Sequence, residues 1–237
     1  MILALGVLIL ASQVPGAPPT VDAILARYEA AMGDPSIARA YETRFVHSKV
    51  QELTGGESDL YEYFLAPGKY LRVMVRPEGA LMRLGFDGKS AWEDGPRGLV
   101  VVPREEVPAI TRDAVLTWHL KLRELYPEMR MAGAATVAGK AAWQIEAATA
   151  QGDKEQLFFD AASGLLLRRR YEVVQPGGAR SQRDLLYEDY ADFDGVKLPS
   201  VTRQMAPYAA LTRIERVVHN DDIFDYAFAV PKRGAAK

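Results

Sequence analysis

Proton transfer and metal ligation near neutral pH fall most readily to histidine, and the chain has three, His47, His119 and His219, scattered far apart. No two stand at a spacing that would set both rings on one metal, so each is read as a surface or hydrogen-bonded structural residue. Neither Ser90 nor Ser163 lies in the Gly-x-Ser-x-Gly turn that presents a nucleophilic hydroxyl. With no cysteine in the sequence, thiol catalysis, disulfides and Cys-ligated zinc all fall away. The acidic stretch from Tyr187 to Asp194 raises calcium, yet it lacks the alternating oxygen register of a calcium loop and reads as a strand with carboxylates on its wet face. A hydrolase built on scattered carboxylates is the weakest expectation, and no catalytic residue, metal or cofactor is called for.

What remains is a place for an apolar molecule. Between Glu105 and Tyr126 the residues Val107, Ile110, Ala114, Val115, Trp118, Leu122 and Leu125 recur every three or four positions, as one face of a helix or of two abutting short helices, and Pro127 ends the pattern. A helix inserted midway in a sheet protein must bury that stripe against the sheet, either as a permanent plug or as a lid over a cavity. The expected ligand-binding set is an apolar cavity lined by Ile110, Val115 and Trp118 together with Trp92, Tyr63 and Leu71.

The elements that must position these residues are mostly strands. The stretch from Lys154 to Gln175 reads as a β-hairpin, with Leu157, Phe158 and Phe159 entering a turn at Asp160-Ala161-Ala162-Ser163-Gly164 and a strand returning to Val174. Alternation dilutes its Arg168-Arg169-Arg170 run, which needs no anionic partner. Earlier, Tyr61, Tyr63 and Leu65 alternate with Leu60, Glu62 and Phe64, and Leu71, Val73 and Val75 with Tyr70, Arg72 and Met74, giving one buried and one wetter sheet face. Gly88-Lys89-Ser90-Ala91-Trp92 and Gly139-Lys140-Ala141-Ala142-Trp143 share a pattern, and both indoles are expected to pack toward a common core. Thr20 caps an amphipathic helix carrying Val21, Ile24, Leu25, Tyr28 and Met32 on one face. The count is about ten or eleven antiparallel strands and two helical elements, a mainly β (α+β) chain.

The 237 residues, 49% of them hydrophobic and 25% charged, suffice for one large β domain, and a net charge of −2 offers no basic footprint for nucleic acid. Ile2 to Ala11 is an uncharged apolar run followed by small residues, which reads as a secretory signal over residues 1–17 with no basic residue before Arg27. Export to the periplasm or medium is expected, with 18–231 as a single domain and 232–237 as a C-terminal tail. No other stretch has the apolar length of a membrane-spanning helix.

The segments Phe86-Asp87-Gly88, Leu157 to Arg169 and Tyr187-Glu188-Asp189-Tyr190 with Asp194-Gly195-Val196-Lys197-Leu198-Pro199, set behind an N-terminal helix and around a mid-chain helix, resemble the outer-membrane lipoprotein-sorting proteins of the LolA-like superfamily. The resemblance implies an unclosed, strongly curved β-barrel wrapped over helices, with a hydrophobic cavity that takes acyl chains in the carriers. No residue here matches the carriers' lid-locking arginine, and none is carried over. The implied role is a non-enzymatic carrier or binder of a lipid or lipoprotein acyl chain, monomeric and in transient contact with membranes. The alternative is an envelope sensor or interaction module that uses the same fold on a protein partner.

Overall fold

A computed structural model describes residues 18–231 apart from positions 54, 97, 104–106 and 175–178. The expected signal segment and C-terminal tail lie outside the described residues. Helix α1 spans Val21–Met32; the Thr20 hydroxyl accepts from the Ala23 amide at 3.2 Å, and Ile24, Leu25, Tyr28 and Met32 are buried. A short α2, Pro35–Arg39, follows.

The strands then run in two meanders. The first comprises β1 (Thr43–Glu52), β2 (Glu57–Leu65), β3 (Lys69–Val75), β4 (Leu81–Phe86), β5 (Ala91–Gly95) and β6 (Gly98–Val101). The second comprises β7 (Glu128–Val137), β8 (Lys140–Ala148), β9 (Lys154–Asp160), β10 (Leu166–Val174), β11 (Arg180–Phe193), β12 (Val196–Ala206) and β13 (Ala210–His219). Antiparallel pairing of β1 with β13 fuses them into one 13-stranded sheet whose edges are β6 and β7. These edges are not paired with each other, so the curved sheet is an unclosed barrel. The thirteen strands exceed the expected ten or eleven, and the short β5 and β6 are full members of the ladder.

The chain crosses from β6 to β7 through the mid-chain segment, which is not one helix. It divides into α3 (Val107–Asp113), a 3₁₀ turn at Trp118–Leu120 and α4 (Leu122–Leu125). The apolar stripe explains the break, because it serves two separate clusters. Val107, Ile110 and Ala114 pack with Tyr70, Phe86 and Ala91 of the first meander. Trp118, Leu122 and Leu125 join the main core, where α1 meets Trp143, Ile145, Leu157 and Phe159 of the second. A straight helix could not reach both. Burying each large side chain of the α1 stripe contributes about 1.5–3 kcal/mol, so α1 and α4 fix the second meander's inner face.

The two indoles do not share a core. Trp143 belongs to the main cluster on the inner face, whereas Trp92 follows the inward-facing Ala91, points to the outer face, and donates its Nε1–H to the Phe228 carbonyl at 2.9 Å. The preceding strands set this difference. The Asp87–Ser90 turn departs from inward-facing Phe86, while the Ala138–Gly139 turn departs from Val137, which packs in the outer-face cluster of Phe158 and Leu167. The 3₁₀ turn Asp225–Phe228 covers Trp92 from outside.

Candidate functional site

A cavity of about 370 Å³ lies between the inner sheet face and the mid-chain segment. Strands β1 to β3 contribute Val50, Leu60, Phe64, Tyr70 and Met74; α1 contributes Tyr28 and Met32; the far wall carries Tyr171, Leu185, Tyr187 and Tyr190. Asp189, at φ 50, interrupts the alternation of β11, and Tyr187 and Tyr190 on either side of it both face the cavity.

Of the residues expected to line an apolar cavity, Val115 and Trp118 do line this one. Ile110 packs one layer away against Tyr70 and Phe86. Tyr63, Leu71 and Trp92 stand together, joined by the register Tyr63↔Leu71↔Gly85↔Trp92, but on the outer face. The β2–β3 hairpin carries large apolar side chains on both faces, so hydrophobicity alone does not choose between them. The inner face is the one bearing Glu62 and Arg72, which a simple inside–outside rule would send to solvent.

The lining is accordingly mixed rather than apolar, and a buried ionic cluster reaches it through Arg169 and Asp113. Arg169 of β10 points inward and donates from Nε to Glu155 Oε2 at 2.6 Å, from Nη2 to Glu155 Oε1 at 3.1 Å, and from Nη1 to Asp113 at 2.8 Å. Its guanidinium lies 4.2 Å from the Tyr171 ring centroid and 5.2 Å from that of Trp118. Glu155, fully buried, also accepts from Tyr126 Oη at 2.8 Å. Arg112 Nε approaches Glu155 at 3.0 Å out of line for a hydrogen bond, so this contact is ionic, while Arg112 Nη1 donates to Asp153 at 2.8 Å. Burial works against the Arg169 charge, but Tyr126, Glu155 and Asp113 outweigh it and hold its pKa well above the usual arginine value. Burial followed by the Asp113 charge lifts the Tyr171 phenol to about 12.

Arg44 of β1 is different. Only 5% exposed, it donates from Nε to His219 Nε2 at 2.9 Å and from Nη1 to the Leu116 carbonyl at 3.3 Å, with no carboxylate against it among the described residues. Desolvation uncompensated by an anion lowers its pKa to about 10. Burial, then the charge of Arg44, pushes His119 and His219 down to about 4, so both are neutral near pH 7. His47 sits on the outer face, 2.7 Å from Asp59 and stacked on Tyr61. Each histidine has a structural setting, and among the described residues no three His, Asp or Glu side chains gather as a metal site.

The Arg168–Arg170 run, expected to need no anionic partner, finds its carboxylates within the chain. Arg168 and Arg170 turn outward onto Asp184, and Arg169 turns inward to the cluster. A register shift between Leu166 and Arg168 hides this phase from period-two counting. Glu155 was more legible, since it shares strand parity with Leu157 and Phe159, both buried. Arg112 and Asp113 carried no signal, because their roles depend on where α3 ends.

No family model and no curated protein matches the chain. Solved structures match it in fold at low identity. A DUF1329 family protein from Desulfovibrio piger aligns over 90% of this chain and 98% of its own, at TM-score 0.59 and 13% identity. A domain assigned as an outer membrane lipoprotein-sorting protein from Vibrio parahaemolyticus aligns over 87% and 93%, at 0.54 and 11%. A LolA superfamily protein from Nitrosomonas europaea aligns over 90% and 98%, at 0.54 and 13%. With one open antiparallel sheet curled over an N-terminal helix and a mid-chain helical segment, the chain has the LolA-like fold.

Proposed function

We propose that this chain is an exported, non-enzymatic binder or carrier of a hydrophobic ligand such as a lipid or a lipoprotein acyl chain, with residues 18–231 acting as one unit and a monomer as the working state. The observation that carries this reading is the cavity of about 370 Å³ between the open sheet and its helical cover, whose mixed lining includes a large share of aromatic and aliphatic side chains. Its size falls in the usual range for small-molecule sites, about 300–1,000 Å³. The likeness in fold to a lipoprotein-sorting domain supports the ligand class. Among the described residues no helix is long and apolar enough to cross a membrane, in keeping with transient membrane contact.

Native mass spectrometry of the full chain purified without detergent tests the proposal. A bound lipid mass that denaturation releases is the expected result; protein that stays empty after incubation with membrane lipid extract overturns it. A second reading, an envelope interaction module, draws on the stacked and exposed Phe224 and Tyr226 rings, 5.6 Å apart beside the C-terminal turn. A stoichiometric protein partner recovered from envelope extracts, with no lipid present, would favour it.

A further inference from the structure

The cavity wall carries more positive charge than its own acids neutralise. Four arginines, Arg44, Arg72, Arg169 and Arg183, line it against three carboxylates, Glu52, Glu62 and Asp113. Those acids are already engaged: Glu52 is bound by Arg76 at 2.7 Å, Asp113 by Arg169 at 2.8 Å, and Glu62 accepts from Tyr70 Oη and faces Arg72 across the β2–β3 ladder. Arg183 has no carboxylate within ion-pair distance among the described residues, and its Nε is buried without a hydrogen-bond partner. Leaving a guanidinium nitrogen dry and unpartnered costs free energy that a bound anion would recover.

The surroundings of Arg183 say what else the ligand carries. It stands opposite Tyr171 near the start of β11, at the end of the sheet where the β12–β13 turn brings Tyr208 to the cavity. Tyr208 lines the cavity yet is 52% exposed, which marks this end as the mouth. Val50, Leu60 and Met74 pack as one apolar cluster on the wall that runs inward from the β12–β13 turn. A cation near an opening that leads to an apolar wall suits a molecule with a charged head and an alkyl tail.

We propose that the cavity takes an anionic amphiphile, its oxyanion head, carboxylate or phosphate, paired with Arg183 and its alkyl chain against Val50, Leu60 and Met74. This rests on the hydrophobic-ligand reading above and narrows it from neutral acyl chains to acidic ones.

Calorimetric titration of the full chain with dodecanoate, dodecyl phosphate, methyl dodecanoate, dodecanol, acetate and inorganic phosphate tests the proposal. At least one long-chain acid should bind about 10- to 100-fold tighter than its neutral counterpart, the range that a hydrogen-bonded charge supplies, and which acid does so names the head group. Arg183→Gln should erase that preference, leave the affinity for the neutral chains unchanged, and leave the unliganded protein as stable or more so, because it removes an uncompensated charge. An arginine with a merely structural role would lower stability instead. Equal affinity for acids and neutral chains, or a preference that survives Arg183→Gln, overturns the inference while sparing the carrier reading. Acetate or phosphate binding as tightly as the long-chain acids overturns the amphiphile. Failure of every long chain to bind overturns the carrier reading itself.

Discussion

Replacing Arg169 by methionine tests whether the buried ionic cluster holds the two meanders and the mid-chain segment together. Methionine keeps much of the aliphatic stem but removes the guanidinium over Tyr171 and with it three charge-assisted hydrogen bonds, two to Glu155 and one to Asp113. Asp113, 35% exposed at its side chain, can turn to water; Glu155, at 0%, cannot. Breaking a buried pair by removing one partner costs about 3–5 kcal/mol. Glu155 keeps its bond from Tyr126 and the nearby Arg112 charge, which places the expected loss near about 3 kcal/mol. For a chain of this length that is a fall in Tm of roughly 6–12 °C. Urea denaturation measures it. Adding Glu155→Gln to Arg169→Met removes the stranded charge while keeping an acceptor for Tyr126, and should recover about 1–2 kcal/mol, a coupling typical of contacting residues. A single-variant loss below about 1 kcal/mol, or a second substitution that adds its full cost to the first, would refute the reasoning.

Two further outcomes follow from named residues. His119 titrates at about 4 in the folded protein, brought down first by burial and then by Arg44, against about 6.5 when unfolded. The unfolded chain therefore binds the proton more readily, so stability is complete above pH 6.5 and drains away as pH falls toward 4, by about 3 kcal/mol in total; Asp59 and Asp184, held below the usual carboxylate range, act only at the acid end of that window. His219, brought down to about 4 in the same way, drains stability over the same window, so His119→Gln should remove about half of the change in urea midpoint between pH 7 and pH 4.5, and an unchanged slope would exclude His119 as a source. Gly164, at φ +79, would place an added Cβ 3.0 Å from the Arg27 carbonyl, whereas Gly152, at φ +86, has nothing within 4 Å. Gly152→Ala should cost only the left-handed backbone term, about 1–2 kcal/mol, and Gly164→Ala measurably more in the same assay; equal losses would show that α1 yields freely beneath the β9–β10 turn.

Period and turn chemistry were enough to lay out the strands, because each hairpin announces itself locally. Asp160 Oδ1 accepts from the Ala162 and Ser163 amides at 2.7 and 3.1 Å and Gly164 takes a left-handed φ, all of it implied by the residue types. The site was less legible for two reasons. Alternation gives two faces without naming the inner one, and where both are rich in aromatics, as on β2 and β3, the choice went to Tyr63 and Leu71 instead of Phe64 and Tyr70. Register irregularities also reset phase without a compositional mark, which concealed Arg169 behind the shift at Leu166–Arg168. Val115 and Trp118 line the cavity while Ile110 of the same stripe does not, because the segment breaks after Asp113 and divides the stripe between two clusters.

The ionic cluster also bears on whether the mid-chain segment is a plug or a lid. Arg169 and Glu155 both belong to the sheet and are paired with each other twice, so lifting the segment leaves that pair intact. What departs is Arg112, Asp113, the Leu116 carbonyl and, if the segment lifts as far as Tyr126, that residue's buried bond to Glu155. Asp113, and the Asp153 partner of Arg112, are already partly exposed and regain water readily. The apolar contacts that hold the segment are divided between two clusters and carried by pieces of seven, three and four residues. None of these is long enough to be stable by itself. Opening therefore draws its cost from separable short elements rather than from the sheet, whose strands are laddered on both sides everywhere except at β6 and β7, the two edges the segment bridges. Plug and lid are therefore distinguished by the Tyr126–Glu155 bond and the two apolar clusters together, the contacts that any opening has to break.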